Sequence, residues 1–414
     1  MTETNAIISR PVATVTDAAA ADVPASARAV LEIDLDALRA NWARLNKVAG
    51  TAECAGIVKA DAYGLGLEEI TAALSREGCR TFFVATIHEG QRVRAVAPGA
   101  IIYILDGLLA DAEVHYAGFD LRPVLSSVPE IRDWAAYCRS DGRRRPAAIH
   151  IDTGMNRLGV PPEDLDQLAA PGSPLEAFDV ALVMSHLYNA DHAGSRDNAV
   201  QLARFNERRA KLPDAPASLA NTGGIFLGPE YHFDLVRPGI AVYGGRALAD
   251  RPNPMQPVVR LSARILQVRT VQPGEIVGYG ASYTAEAPTR IATIACGYAD
   301  GFLRALSGDR KTRGAVGYIG EHPVRIVGRV SMDLITVDVS EVPQALAERG
   351  AWVEVMGARV TVDDLTDRAG TIGYELLSRL SNRVHRVYVE GRSRVGAGAN
   401  ASHDTSPTPV QGEA

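Results

Sequence analysis

Between residues 54 and 237 short apolar runs alternate with longer amphipathic stretches, and this alternation constrains the fold more than any other feature of the chain. The runs are Cys54–Val58, Thr81–Ala85, Ile101–Leu105, Arg122–Leu125, Ala147–Ile151, Val180–Ser185, Ala217–Ala220 and Asp234–Arg237. They are too short for helices and apolar enough to be strands buried on both faces. Between them Leu67–Glu77, His88–Ala95, Pro129–Arg139, Glu163–Ala169 and Asp197–Lys211 repeat apolar residues at helical spacing. Strand–helix units repeated in this way predict a parallel (β/α)8 TIM-type barrel, with an open doubly wound sheet as the alternative.

A closed barrel carries a positional rule, because its functional groups sit at the C-terminal ends of the strands. Lys59 ends the first run. His150 and Asp152 end the fifth, with Arg157 just beyond. His186 ends the sixth, Asn221 and Thr222 the seventh, and Arg237 the eighth. Five polar clusters thus converge on one mouth, which scattered surface residues would not do.

After Tyr243-Gly244-Gly245 the pattern changes. Residues 246 to 256 are polar and contain prolines, as a linker does. From Val258 the runs are short, β-branched and alternating: Val258–Val271, Arg290–Ala295, Ala315–Ile319, His322–Val330, Leu334–Val339 and Trp352–Met356. They predict a mainly-β second domain, closed by a helix at Tyr374–Leu380 and a strand at Arg386–Val389. The expected organisation is a disordered leader over 1–28, the barrel over 29–245, the β domain over 246–390 and a disordered tail over 391–414.

The net charge of −6 leaves no basic footprint, so neither nucleic acid nor an anionic membrane is an expected partner. The four cysteines, Cys54, Cys79, Cys138 and Cys296, are far apart and lack metal-ligand spacing, so no metal site is expected. Buried thiols without bridges suit a reducing cytoplasm. No apolar stretch reaches the length of a membrane span, and the leader is interrupted too often for a signal peptide.

The stretch Gly56-Ile57-Val58-Lys59-Ala60-Asp61-Ala62-Tyr63-Gly64 places a lysine at the mouth of a buried strand. Burying an ammonium costs free energy unless it is paired or loses its proton. Taken alone, Lys59 is more often a surface lysine whose stem snorkels. Alone, too, Arg237 reads as an ion-pair residue, His186 as a satisfied core histidine, and Tyr279 as a strand-edge tyrosine.

Together these residues resemble the alanine racemase family. The resemblance rests on Val58-Lys59-Ala60-Asp61-Ala62-Tyr63-Gly64, Asp152-Thr153-Gly154-Met155-Asn156-Arg157-Leu158-Gly159, Met184-Ser185-His186, Leu219-Ala220-Asn221, Val236-Arg237-Pro238-Gly239-Ile240, Gly278-Tyr279-Gly280, Gly297-Tyr298-Ala299-Asp300-Gly301 and Arg329-Val330-Ser331-Met332-Asp333. It runs from about residue 29 to about residue 390, in family order.

The resemblance implies interconversion of L- and D-alanine through an aldimine of pyridoxal 5'-phosphate (PLP), supplying D-alanine for peptidoglycan. Lys59 would be the imine-forming amine and one of two bases, with Tyr279 the base on the opposite face. Tyr63, Thr222, Tyr374 and the N–H groups of Gly239 and Ile240 would hold the phosphate. Asn221 would contribute to the cofactor site. Arg237 would face the pyridine nitrogen, with His186 packed by the ring. Arginine holds its proton tightly, so it donates to that nitrogen without fully protonating it. The weaker electron sink suits reprotonation over decarboxylation. Arg157 and the N–H of Met332 would grip the substrate carboxylate, with Tyr298, Arg304 and Arg329 at the entrance. The family assembles as homodimers in which Tyr279, Tyr298, Met332 and Asp333 would reach the other copy's cofactor. The alternative is a broad-specificity amino-acid racemase of the same fold. A decarboxylase is disfavoured by Arg237, and a barrel-only PLP carrier by residues 258–390.

One position departs from the family pattern. Many members carry a carbamylated lysine two residues before the Asp-Thr-Gly-Met motif, and its negative charge holds the motif arginine. Here that position is His150, which forms no stable carbamate. A bound chloride, another carboxylate or water must replace it, and the expected one is a chloride between His150 and Arg157.

Overall fold

The computed structural model of the chain describes residues 23–309 and 312–391. Strand β1, Ala29–Asp34, is followed by helix α1, Leu35–Ala49. Asp34 caps that helix by accepting the Ala37 N–H at 2.9 Å, and Leu38, Trp42 and Leu45 form its buried stripe. The barrel strands are β2 (Glu53–Cys54), β3 (Gly56–Ile57), β4 (Thr81–Val84), β5 (Ile101–Ile104), β6 (Arg122–Leu125), β7 (Pro146–His150), β8 (Asp179–Met184), β9 (Ala217–Ser218) and β10 (Leu235–Val236). The helices between them are α2 (Leu67–Glu77), α3 (Ile87–Val96), α4 (Glu113–Gly118), α5 (Val128–Asp141), α6 (Pro162–Ala169), α7 (Arg196–Arg209) and α8 (Thr222–Ile225).

β3 to β9 pair in sequence order as parallel neighbours. β10 pairs with β2 on one side, and on the other the Asp234 N–H donates to Ala217 and the Arg237 N–H to Ala220. β2 and β3 belong to one apolar run, so these bonds close the ring as the (β/α)8 reading expects. Phe82, Phe83, Ile102, Val124, Ile149, Leu182 and Val183 have almost no exposure, as expected of strands buried on both faces, one toward the barrel interior and one toward the helices.

The second domain contains β11 (Val259–Val271), β12 (Ile276–Val277), β13 (Tyr283–Thr284), β14 (Thr289–Ile294), β15 (Val316–Ile319), β16 (His322–Ile326), β17 (Ile335–Asp338), β18 (Trp352–Met356) and β19 (His385–Val389), with β12 and β13 as a hairpin outside the main sheet. β11 pairs with both β14 and β18, so six strands close into an antiparallel barrel. Register shifts at Leu261/Ser262 and Ile265/Gln267 bend β11 enough to serve both neighbours. Helices α9 (Val362–Ala369) and α10 (Gly373–Ser378) precede β19.

Several features differ from the sequence reading, among them the short helix α4 and the β12–β13 hairpin, which it does not include. β1, which the 29–245 range assigns to the (β/α)8 domain, instead pairs antiparallel with β11 and parallel with β19. The reason is its partners: Leu31 and Ile33 are fully buried, and the (β/α)8 ring is already closed without them. Residues 23–28 of the expected leader are ordered on that sheet, where Ala27 is buried with Val30, Val387 and Val389. Residues 1–22 and 392–414, the rest of the leader and tail, lie outside the described residues. Helix α9 stands where the sequence reading placed no element, although Thr361 and Asp364 form a capping box at its start.

Candidate active site

Lys59 follows the end of β3, where the Val58 N–H still donates to Phe83 of the neighbouring strand at 3.0 Å. The next four residues, Ala60, Asp61, Ala62 and Tyr63, all take left-handed helical angles, with φ between 52° and 58°. None is glycine, and for L-residues this conformation costs about 1–2 kcal/mol each. The turn is thus made before the first glycine, Gly64, is reached. It aims Lys59 across the barrel mouth and rolls Tyr63 into the interior. Lys59 is half-buried, and its amine is held below the ordinary lysine range, first by burial and then by the charge of Arg157. Asp106, Glu89 and Arg237 are the other charges that act on it, the two carboxylates opposing the shift.

Lys59, Tyr63, His186, Asn221, Thr222, Arg237, Gly239 and Tyr374 line one cavity of about 130 Å³, with Ile57, Leu105 and Met184 as its apolar walls. On one side is a cup of hydroxyl groups. The Gly239 N–H donates to Thr222 Oγ1 at 2.7 Å, and the Tyr374 hydroxyl faces the same threonine. A Cβ on Gly239 would come within 2.2 Å of the Tyr63 hydroxyl oxygen, so only glycine leaves that space. Tyr63 stacks on Tyr243 at 4.5 Å between ring centroids, and Tyr243 donates to the Ile57 carbonyl at 2.7 Å. Ile240 is buried behind the cup. Asn221 lines the cavity but spends its side chain on structure: it donates to the Leu187 carbonyl and accepts the Gly224 N–H at the start of α8.

On the other side lies Arg237, 5% exposed. It donates to Ser218 Oγ, to the Ser185 carbonyl at 2.6 Å and toward His186 Nδ1 at 3.4 Å. Burial lowers its guanidinium to about 9, which leaves it charged at neutral pH. These bonds, with one from Nη2 to the Leu219 carbonyl at 3.4 Å, engage Nη1 and Nη2 and do not use all five N–H donors of the guanidinium. His186 is held well below the ordinary imidazole range by burial, with Arg237 the first of the charges acting on it.

Arg157 sits on an exposed loop beyond β7. Asp152 fixes that loop by accepting the N–H groups of Gly154, Met155 and Asn156 at 3.0 to 3.2 Å. Among the described residues no carboxylate lies within ion-pair distance of Arg157. His150 is close enough for the Arg157 charge to act on it, and its Nδ1 faces Ser126 Oγ at 3.5 Å. Burial first, and Arg237 next, lower His150 to about 4, so it is neutral.

The remaining candidates lie elsewhere. Tyr279, Tyr298 and Met332 are 72%, 39% and 53% exposed and do not line the cavity. They form a second cluster on the β domain. The Tyr298 and Ala299 N–H groups donate to Ser331 and Met332, and the Arg329 guanidinium lies against Gly280. The chain therefore presents an amine-bearing cavity on the barrel and an exposed tyrosine–arginine face on the second domain.

Asp106, Ser126 and Ser218 are not singled out by the sequence reading. The strand-end rule reaches the first two, which immediately follow the third and fourth runs. Ser218 lies inside β9 and shows itself only as a partner of Arg237.

The donor set fits PLP. It offers an amine of lowered basicity, a cup of hydroxyls and N–H groups that only glycine leaves open, and a buried cationic donor opposite.

Residues 33–247 match the alanine racemase N-terminal domain and residues 258–388 the alanine racemase C-terminal domain. An alanine racemase of Methylobacterium nodulans is 48% identical over 363 residues, 88% of this chain and 96% of that protein. A catabolic alanine racemase of Agrobacterium fabrum is 45% identical, over 90% of this chain and 95% of that protein. The crystal structure of alanine racemase from Bartonella henselae with covalently bound pyridoxal phosphate superposes with a TM-score of 0.83 at 39% identity, covering 88% of this chain and all of that one. The chain belongs to the alanine racemase family.

Proposed function

We propose that the chain interconverts L- and D-alanine with PLP carried on Lys59, and that Lys59 and Tyr279 act on opposite faces of the substrate. As a member of its family it is a PLP-dependent isomerase. The observation that carries the residue assignment is the cavity itself, in which Lys59 and Arg237 face a cup built by Tyr63, Thr222, Gly239 and Tyr374. PLP, when bound, supplies a carbonyl for the lysine and an electron-withdrawing ring.

The protein's part follows from its own groups. Thr222, Tyr63, Tyr374 and the N–H groups of Gly239 and Ile240 hold the phosphate. Arg237 donates to the ring nitrogen and keeps its proton, which moderates electron withdrawal and favours reprotonation of the α-carbon. Lys59 Nζ moves the α-proton on one face, helped by its lowered basicity. Tyr279 Oη moves it on the other. Arg157 and the Met332 N–H hold the carboxylate. Asn221 ties the end of the seventh run to the segment after the sixth through the Leu187 carbonyl, and Tyr298 stands at the entrance.

Tyr279, Tyr298 and Met332 are exposed and away from the cavity of their own chain, which supports a homodimer in which each copy completes the other's site. The organisation 29–245 and 246–390 describes the folding units, with β1 lent to the second. Four free, buried cysteines support a reducing, cytoplasmic setting, and the physiological role is supply of D-alanine for peptidoglycan.

Chiral analysis of products from a panel of L-amino acids tests this reading. L-alanine should go to an equal mixture of enantiomers, far faster than larger amino acids. Comparable rates on larger side chains would select the broad-specificity racemase, and amine release would refute both.

A further inference from the structure

We propose that Glu89, with Asp61, is a positioning residue for Lys59: the pair clamps the left-handed turn that aims the amine. The inference deepens the reading above and rests on Lys59 carrying the cofactor.

Four consecutive non-glycine residues in the left-handed region do not persist unless their surroundings over-determine them. Here the turn is held from outside. The Glu89 carboxylate bridges two strand ends: one oxygen accepts the Asp61 N–H at 3.2 Å, and the other accepts the N–H groups of Ala85 and Thr86 at 2.9 and 3.3 Å. It therefore ties the turn after β3 to the end of β4. The Asp61 side chain holds the far side by accepting the Leu67 N–H at 3.2 Å and Arg92 Nη2 at 2.7 Å. Arg92 also grips Glu68 at 2.6 Å, so α2 and α3 share the clamp. Glu89 and Arg92 are three apart on α3 and present one face to the turn. Within the turn, the Ala62 N–H donates to Val58 at 2.9 Å, so the whole unit moves with Lys59. The Glu89 charge is also one of the two carboxylates that raise the affinity of Lys59 for its proton, which places it near the amine.

Losing this clamp lets the turn relax toward right-handed angles and swings Nζ away from its line. Purified holoenzymes of Glu89→Ala, Asp61→Ala and Asp61→Asn are compared with wild type, well below their melting temperatures. Arg94→Ala serves as the control. Arg94 lies on the same helix and donates to Phe119, Pro98 and Ala100, remote from the turn. Two quantities are read: kcat and KM per folded site, and the rate at which hydroxylamine strips the cofactor from the lysine, followed by visible absorbance. Glu89→Ala and Asp61→Ala should lower kcat at least tenfold with KM within threefold, and speed stripping at least tenfold. Asp61→Asn keeps an oxygen acceptor for Leu67 and Arg92 and should restore most of both. Arg94→Ala should lower the melting temperature without moving either. Wild-type kcat and stripping rates in Glu89→Ala and Asp61→Ala would overturn the clamp, as would equal losses in Arg94→Ala. If borohydride mapping labels a lysine other than Lys59, the underlying assignment fails instead.

Discussion

Arg237 Nη2 lies 3.4 Å from Nδ1 of His186. Burial, with the guanidinium adding its charge, holds that imidazole neutral. Nδ1 then accepts from the arginine, and Nε2 carries the hydrogen. The buried cation and the neutral histidine are one unit, and His150 joins it because Arg237 is the first of the charges lowering it.

This unit predicts a pH dependence of stability. His150 stays neutral in the folded chain down to about 4, whereas an unfolded histidine takes up its proton near 6.5. Between those values the unfolded state binds the extra proton, so stability is full above about pH 6.5 and falls as pH drops toward 4. The loss is about 3 kcal/mol for a shift of this size. His186 acts in the same direction. Urea midpoints at pH 7 and pH 5 should differ more in wild type than in His150→Asn; equal differences would show that His150 does not set the slope.

Borohydride reduction of the holoenzyme, followed by peptide mapping, should place the pyridoxyl label on Lys59. The amine's lowered basicity and its place in the cavity make it the reactive lysine. A label on Lys47 or Lys211 would refute the assignment.

Arg157 carries no carboxylate partner among the described residues, and neutral His150 is near enough to feel its charge. A small anion between them should help hold the guanidinium in place. Replacing chloride by gluconate at constant ionic strength should lower kcat/KM severalfold, and added bicarbonate should do nothing. Activation by bicarbonate, or indifference to chloride, would contradict this.

Much of the site was legible in the sequence because a closed barrel converts strand ends into neighbours. Lys59, His186, Thr222 and Arg237 are far apart in the chain and meet at one mouth for that reason. The left-handed turn after Lys59 was not legible, since of its four residues only Asp61 tolerates that conformation locally, and then as a single residue rather than a run. Tertiary bonds from Glu89 and Arg92 impose it. The place of β1 was hidden as well: alternation marks a strand but not which sheet takes it, and its partners β11 and β19 lie over 220 residues further on.

Mixing Lys59→Ala chains with Tyr279→Phe chains should restore activity to about a quarter of the wild-type level at most, because random pairing makes mixed dimers half of the population, each with one intact site. Tyr279 is exposed and does not line the cavity of its own chain, the observation that motivates this test. No recovery in verified mixed dimers would place each site within one chain.

The central claim is that two different groups serve the two faces of the substrate. Tyr279→Phe in deuterated water tests it directly, with racemisation and deuterium uptake at the α-carbon measured together. The account predicts racemisation slowed at least about a hundredfold, as the loss of a positioned acid–base group implies, while one enantiomer still exchanges its α-proton through Lys59. Racemisation at the wild-type rate would contradict it.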